Sequence, residues 1–185
     1  MLMAIATSNS RAVSQAPADA RILVAAGSYF PLTTFLSRNV TIEGQPGAKP
    51  LLQKGAGGGA WFTCMAGVRC TLRNLAVDAN NVANVVGINY IGSGVVSDVA
   101  FTNFVPGLTP DTAAVRAPGV VEVGGSTFDK VHVGVELLGG SLSGVTGSLF
   151  TNGSIGVSVS AANAELSQNR FTDLFLAVFV ARASL

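Results

Sequence analysis

Carboxylate and hydroxyl side chains recur directly after a series of apolar positions, where they could act together on a sugar chain. If each of these apolar positions lies in a β-strand and the strands stack, neighbouring strands are about 4.8 Å apart. Glu43 and Asp78 would then be roughly 5 Å apart, and Asp78 and Asp129 about 10 Å apart. These spacings are near the carboxylate separations used for retaining and inverting glycoside cleavage, about 5–5.5 Å and 6.5–9.5 Å. The full column consists of Glu43, Asp78, Thr102, Asp129, Thr151 and Thr172.

Two interpretations of this column stay open. In the first, Glu43, Asp78 and Asp129 are the catalytic carboxylates of a lyase or glycoside hydrolase, and Thr102 and Thr151 help to bind its polysaccharide. In the second, which we favour, the column simply occupies a turn. Turns prefer short polar side chains because these side chains form hydrogen bonds with the nearby backbone.

The remaining polar groups do not form a recognisable chemical set. His132 alternates with Val131 and Val133, so it is expected at the surface if the two valines are buried. One histidine and two cysteines do not complete the four ligands of a structural zinc site. The sequence also has no Gly-x-Ser-x-Gly nucleophile motif. We therefore expect no metal and no cofactor.

Two aromatic residues are candidate sugar contacts. Trp61 and Tyr90 would stack on sugar rings if their faces were exposed on the surface of a rod. The alternative is packing in the core, which for Trp61 is favoured by the adjacent Phe62.

The two cysteines also leave two interpretations open. Cys64 and Cys70 are six residues apart and continue an apolar alternation that would point both inward. They could be buried thiols that act as small hydrophobic residues. They could equally form a disulfide across one corner, provided that their Cα atoms come within about 7 Å.

Composition and charge argue against several classes of partner and indicate a location. The 185 residues carry 11 Lys and Arg against 10 Asp and Glu, and no basic face stands out, which argues against nucleic acid. No apolar run reaches the roughly 18 residues of a membrane span. Only 11% of the residues are charged, so hydroxyl and amide groups supply much of the polar surface, as in many secreted β proteins. We expect an extracellular or cell-surface protein.

A repeat of about 22 residues organises the second half of the chain. Phe128, Phe150 and Phe171 stand 22 and 21 residues apart. A small residue follows each phenylalanine six positions later, and apolar residues follow at seven and nine positions. These are Gly134, Gly156 and Ala177, then Val135 and Leu137, Val157 and Val159, and Val178 and Val180. A short alternating apolar run that returns at this period is typical of a solenoid of strands.

The apolar anchor of this repeat can be followed towards the start of the chain through Phe101, Val77 and Ile42. The gaps are longer there, and we assign the additional residues to protruding loops around residues 55–59 and 105–110. Short polar residues stand two positions before and after the later anchors, where they suit turns and predict a side-chain ladder in a corner. They are Ser126, Ser148 and Asn169 before the anchors, and Asn103, Asn152 and Asp173 after them.

The N-terminal segment has a different pattern. Residues from Ala4 to Ala16 carry an approximate helical stripe, and Pro17 ends it. We predict a short amphipathic helix that covers the first edge of the solenoid, since an exposed parallel edge would recruit other chains. The expected organisation is a single domain over residues 1–185, with the cap in residues 1–18 and the coils in residues 19–185.

Three segments within the first fifty residues resemble the opening of a known fold family. They are Ala12-Val-Ser-Gln-Ala-Pro17, Ile22-Leu-Val-Ala-Ala-Gly-Ser-Tyr29 and Asn39-Val-Thr-Ile-Glu-Gly44. They resemble right-handed parallel β-helix proteins of the pectin lyase-like superfamily, which implies an all-β, right-handed parallel β-helix. The resemblance assigns no activity, because this superfamily hosts lyases, hydrolases, esterases, epimerases and inert scaffolds. The polygalacturonase-like motifs Asn-Thr-Asp and His-Gly are absent here.

The last apolar stretch predicts an interface. Residues 175–180, Phe-Leu-Ala-Val-Phe-Val, alternate too little for a half-exposed strand, so Phe175 and Phe179 lack an obvious place in the core. An exposed apolar edge promotes association. We expect Phe175 and Phe179 to contact another copy, a partner chain or further sequence.

Three functions remain as hypotheses. The leading one is a non-catalytic β-helix module of an extracellular or surface protein that binds a glycan or a protein partner. The second is a polysaccharide-active enzyme that uses outward carboxylates. The third is a structural segment of a larger assembly. Exposure of the acidic column in a groove would favour the enzyme.

Overall fold

The computed structural model describes residues 2–5, 16–107, 111–139, 142–160 and 163–181. Every regular element in these ranges is a β-strand, and the 18 strands join into one continuous sheet. The sheet winds into a parallel β-solenoid of about six turns. The all-β parallel β-helix is therefore confirmed, while its right-handed winding stays a prediction.

The strands are short in the first turns and longer towards the end of the chain. They are β1 (Leu2–Ile5), β2 (Ala20–Val24), β3 (Ser28–Tyr29), β4 (Thr34–Leu36), β5 (Val40–Gly44), β6 (Leu51–Gln53), β7 (Gly59–Cys64), β8 (Arg69–Asp78), β9 (Val85–Tyr90), β10 (Ser93–Phe104), β11 (Ala113–Ala117), β12 (Val120–Gly124), β13 (Thr127–Val131), β14 (Val133–Leu137), β15 (Ser143–Thr146), β16 (Leu149–Ser160), β17 (Ala164–Ser167) and β18 (Arg170–Ala181).

Each turn contributes strands to three faces, which we number in chain order. The first face contains β2, β5, β12, β15 and β17 with the first halves of β8 and β10. The second contains β3, β6 and β13 with the second halves of β8 and β10 and the first halves of β16 and β18. The third contains β4, β7, β9, β11 and β14 with the second halves of β16 and β18.

The predicted phenylalanine column is confirmed on the second face. Phe101, Phe128, Phe150 and Phe171 occupy equivalent positions on successive turns. Their ring centroids are 5.1, 4.5 and 5.0 Å apart, and neighbouring rings are stacked. The first three are buried, and Phe171 packs against the same core. Aromatic stacking therefore adds to the burial of apolar area along the rod.

Ile42 does not belong to this column, contrary to the prediction. Ile42 pairs with Leu72 on the first face, whereas Leu52 pairs with Val77 on the second. The chain turns between β5 and β6, so Ile42 and Leu52 lie on two faces of the same turn. Both are buried, and an apolar pattern alone does not separate them.

Steric contacts explain why small residues follow the phenylalanines. A Cβ atom on Gly134 would lie 2.6 Å from the carbonyl oxygen of Gly156 and 2.6 Å from the ring of Phe150. A Cβ atom on Gly156 would meet Ala177 and Phe171 at the same distances. Each glycine thus leaves room for the next turn's phenylalanine.

The predicted polar ladder is present at the corner between the first and second faces. Ser126 Oγ accepts a hydrogen bond from the Val99 N–H at 3.2 Å, and Ser148 Oγ accepts one from the Ser126 N–H at 3.2 Å. Asn169 Oδ1 accepts one from the Ser148 N–H at 2.9 Å. These bonds satisfy backbone donors that the corner would otherwise leave without partners.

Cys64 and Cys70 form a disulfide, with Cα atoms 6.0 Å apart. Cys64 ends β7 and Cys70 lies near the start of β8, so the bond joins the end of one turn to the start of the next. Both residues are buried. The structure therefore selects the disulfide from the two interpretations that the sequence left open.

The predicted N-terminal helix is not observed. Ala4 and Ile5 belong to β1, which pairs in parallel with β2. Residues 6–15 of the predicted helix lie outside the described residues. The apolar run of β1 extends the first face because the free edge of β2 offers it backbone hydrogen-bond partners.

We predict that Phe150→Ala lowers the free energy of unfolding by about 3–5 kcal/mol, as truncations of large core residues do. Phe150 is 1% exposed and stacks on both neighbouring rings. Chemical denaturation of the variant would measure the loss. The matched control is Phe30→Ala, because Phe30 is 65% exposed and lies outside the stacked column. Equal effects of the two substitutions would contradict the stacked column.

We also predict opposite effects for two glycines. Gly134→Val should lower stability by about 1–3 kcal/mol through overpacking. Gly144→Val on β15 should leave stability unchanged or slightly higher, because a Cβ there meets nothing within 4 Å. Thermal unfolding of the two variants side by side makes the comparison. A tolerated Gly134→Val would refute the steric explanation.

Candidate functional site

The predicted polar column is present on the second face. Asp78, Thr102, Asp129 and Thr151 occupy equivalent positions on successive turns. Two strand spacings separate Asp78 from Asp129, about 10 Å as the sequence predicts. Their catalytic and binding roles stay predictions.

Both carboxylates of this column are bonded by side chains of the next turns. Asp78 Oδ1 accepts hydrogen bonds from Asn103 Nδ2 at 2.9 Å and from the backbone of Asn80 at 2.7 Å. Asp129 Oδ1 accepts from Asn152 Nδ2 at 2.7 Å and from Thr151 Oγ1 at 3.0 Å. These side-chain bonds tie one turn to the next. The column is not in a turn of the backbone, because Thr102, Asp129 and Thr151 lie within β10, β13 and β16 and Asp78 ends β8.

Glu43 is not in this column, which corrects the prediction. It pairs in register with Arg73 on the first face, and Gln53 takes the expected place beside Asp78. Glu43 was assigned to this column because Ile42, the residue directly before it, was assigned to the phenylalanine column. Glu43 Oε2 accepts a hydrogen bond from Arg21 Nε at 2.9 Å, an ion pair on the surface of the first turns.

Trp61 and Tyr90 are buried, so neither can stack on a sugar. Both are 0% exposed. Trp61 stacks on Phe62 with ring centroids 5.7 Å apart, and its Nε1 donates to the Pro31 carbonyl at 2.9 Å. The Tyr90 hydroxyl donates to the Val95 carbonyl at 3.3 Å. The prediction of exposed aromatic faces is therefore wrong for both.

A lysine covers the buried tryptophan. Lys54 Nζ lies 5.8 Å from the centre of the Trp61 ring, a cation–π contact, and Lys54 itself is buried. Burial lowers the pKa of Lys54, because a low-dielectric environment disfavours the charged ammonium.

Among the described residues, His132 has one side-chain partner. His132 Nδ1 lies 3.1 Å from Ser154 Oγ on the next turn, and both side chains are partly buried. A serine hydrolase also needs a carboxylate that orients the imidazole. In the described ranges, no carboxylate forms a hydrogen bond or ion pair with His132.

An ion-pair cluster lies on the third face. Arg116 Nε is 2.5 Å from Glu136 Oε2, and Arg116 Nη1 is 2.6 Å from Asp111 Oδ1. Burial by itself lowers the pKa of Arg116, but the bonds and charges of Glu136 and Asp111 outweigh burial and raise it. One arginine is shared by two carboxylates, so each charged group of the cluster already has a partner.

The first face carries an open groove of about 340 Å³, which we call the first-face groove. It runs across four successive turns, from β10 through β12 and β15 to β17. Its rim and floor are formed by Val95, Ser97, Glu122, Val123, Gly124, Gly144, Val145, Thr146, Glu165 and Ser167. Hydroxyl and carboxylate groups therefore border a groove whose other lining residues are valines and the two glycines.

Gly124 and Gly144 keep the floor of the groove open, although the fold does not require glycine there. A Cβ on Gly144 would meet nothing within 4 Å, and one on Gly124 would meet only Thr146, at an ordinary 3.8 Å. Neither residue has a positive φ. Glycine weakens a strand interior, and it often marks a place where a ligand approaches the backbone closely.

Two glutamates flank Gly144, one on the preceding turn and one on the following turn. Register pairs Glu122 with Gly144 and Gly144 with Glu165, so the carboxylates stand two strand spacings apart, about 10 Å. Both side chains are exposed. Within the described ranges, neither carboxylate has a hydrogen-bond or ion-pair partner. Free acceptors thus flank the open floor.

Sequence reasoning missed this pair because each glutamate lies in an ordinary strand pattern. Glu122 sits between Val121 and Val123, and Glu165 precedes Leu166 by one residue, as alternation in a half-exposed strand requires. The signal that could have located the site was glycine at Gly124 and Gly144 inside strands. These two glycines point to the site only when the strand register is known, because the register places them beside the two glutamates.

The C-terminal edge carries the exposed apolar residues that the sequence predicted. Phe175 is 84% and Phe179 is 43% exposed, and Val178 and Val180 beside them are also exposed. In the part of the chain that the structure describes, β18 pairs only with β16, so its other edge is unpaired. The predicted contact of Phe175 and Phe179 with another chain stays a prediction.

Among the described residues, no group of three or more His, Cys, Asp or Glu side chains is arranged to hold a metal ion. The same ranges contain no helix of the length and hydropathy needed to cross a membrane.

Comparison with known proteins identifies the fold but no family. No family model matches the sequence, and no curated protein matches it. A solved structure described as the PL6 family alginate lyase AlyGC is similar to 98% of this chain, with a TM-score of 0.56 and 13% sequence identity. The chain spans only 37% of the length of that protein. At this level of identity the similarity shows the fold alone, a parallel β-helix.

Proposed function

We propose that this chain is a non-catalytic parallel β-helix module of an extracellular or surface protein, and that it binds a polysaccharide in the first-face groove. The observation that carries the proposal is the open floor at Gly124 and Gly144, where the fold itself leaves room for side chains. A sugar ring could approach the backbone there while its hydroxyl groups bond to the rim.

The rim has the chemistry that such a ligand needs. Ser97, Thr146 and Ser167 are equivalent positions on three of the four turns and supply hydroxyl groups at intervals. Glu122 and Glu165 supply acceptors. The similarity to a protein described as an alginate lyase supports a polysaccharide ligand, since that protein shares the fold.

The extracellular location is supported by two features. The Cys64–Cys70 disulfide is typical of proteins from oxidising compartments. Charged residues make up only 11% of the chain, and hydroxyl and amide groups supply much of the remaining polar surface.

Hydrolysis is the second candidate function, favoured by the separation of Glu122 and Glu165. About 10 Å is close to the upper limit of the 6.5–9.5 Å range of inverting glycosidases. We favour binding, because an acid and a base need different environments and both of these side chains are exposed. The Asp78–Asp129 column is the less favoured alternative, since Asn and Thr side chains already bond to its carboxylates.

We predict that Gly144→Leu abolishes binding to whichever polysaccharide the wild-type chain retains on a glycan panel. A leucine would fill the floor of the groove without altering its charge, and it would clash with nothing in the fold. Affinity electrophoresis on the retained glycan would measure the loss.

The matched control is Thr71→Leu, which places the same side chain in the same column of the first face, outside the groove. If the glycan slowed the Gly144→Leu variant in electrophoresis as much as it slows the wild type, the proposed site would be contradicted. Absence of any retained glycan would contradict the proposed function.

We also propose that the C-terminal edge mediates self-association. Phe175 and Phe179 are exposed beside an unpaired strand edge within the described residues, and such a combination promotes association. We infer that a second copy covers this edge, with apolar contact between the two β18 strands.

Phe179→Lys should therefore shift the chain from oligomer to monomer in sedimentation velocity experiments across a concentration series. A lysine on the edge opposes strand pairing. The control is Leu142→Lys, which places the same change on another exposed apolar residue. A wild-type chain that stays monomeric at the highest concentration would refute the proposal.

A further inference from the structure

We infer that the ligand of the first-face groove is a cationic amino-sugar polysaccharide, one rich in glucosamine, rather than a polyuronate. This inference rests on the proposed function, because it assigns the chemistry of the ligand at the same groove.

The groove has negative charge and no compensating cation in its lining. Glu122 and Glu165 are its only charged lining residues, and no described group pairs with either carboxylate. The nearest cation in register is Arg73, one turn before Ser97, and its Nε donates to Ser97 Oγ at 3.1 Å. A single arginine at one end does not neutralise two carboxylates that flank the floor.

This charge pattern disfavours a polyuronate. Each sugar of a polyuronate carries a carboxylate, and like charges placed together in a groove repel each other. A site for such a chain would need cations or a bound metal along the floor. The residues that line the groove include no Lys, Arg or His.

The spacing of the glutamates suits an amino sugar. Successive sugars of an extended β-1,4-linked chain alternate in orientation, so amino groups on one side recur at every second sugar. Glu122 and Glu165 stand two turns apart in one column, about 10 Å from each other. Each ammonium can then donate charge-assisted hydrogen bonds to one carboxylate.

The glycine between the glutamates completes the arrangement. Gly144 stands on the intervening turn in the same column, so the sugar between the two paired amino groups would meet only backbone. The net charge of the chain is +1, so attraction of a polycation would come from this local pair and not from the whole molecule.

The test compares three oligosaccharides of equal length by titration calorimetry at slightly acidic pH and low salt. They are a glucosamine hexamer, an N-acetylglucosamine hexamer and a mannuronate hexamer. Wild-type protein should bind the glucosamine hexamer most tightly, with an affinity that falls as salt is added. The double variant Glu122→Gln with Glu165→Gln should bind it about tenfold more weakly, since each exposed ion pair contributes modestly.

The matched control is the double variant Asp78→Asn with Asp129→Asn, which removes the same two negative charges from the second face. It should bind the glucosamine hexamer as the wild type does. Tighter binding of the mannuronate or acetylated hexamer, or no effect of the Glu122 and Glu165 substitutions, would overturn the inference while the proposed polysaccharide binding stands. Binding of none of the three would overturn the inference, and the glycan panel with Gly144→Leu then decides the proposed function separately.

Discussion

In-register stacking of parallel strands is the constraint on which the rest of this structure depends. Each turn repeats the previous one at about 4.8 Å, so any residue type that recurs at the turn period becomes a continuous column. Inside the rod this produces the stack of Phe101, Phe128, Phe150 and Phe171. At a corner it produces the serine ladder, in which each hydroxyl satisfies a backbone donor of the preceding turn. Packing and hydrogen bonding therefore favour the same register.

The same constraint separates two uses of glycine. Gly134 and Gly156 are required by packing, because a Cβ would collide with the following turn and its phenylalanine ring. A Cβ on Gly144 would meet nothing and one on Gly124 would make only an ordinary contact, both in ordinary strand geometry, so packing does not account for these two glycines. Their effect is to leave a groove between Glu122 and Glu165. Where two turns omit the side chains that the other turns carry, a repetitive surface acquires a recess, and this recess is the binding site that we propose.

The repeat of about 22 residues allowed most of the fold to be predicted from the sequence. It allowed little of the first-face groove to be predicted. The phenylalanine repeat and its polar flanks located the second face from Phe101 onward, since one period covers one turn. Before Val77 the repeat is interrupted by loops, and Ile42 was assigned to the wrong face together with Glu43. Trp61 and Tyr90 could not be placed because an aromatic residue suits core and surface equally. Glu122 and Glu165 become neighbours only through the register of β12, β15 and β17.

The central claim is that the glycine floor of the first face is the ligand-binding surface of this β-helix. The most direct test is to map backbone amide chemical shifts by NMR while the glucosamine hexamer is titrated into the protein. The account predicts that the largest shifts occur at Gly124, Gly144 and Thr146, with the phenylalanine column unaffected. Shifts concentrated on the second face around Asp78 and Asp129, or along the third face, would contradict it.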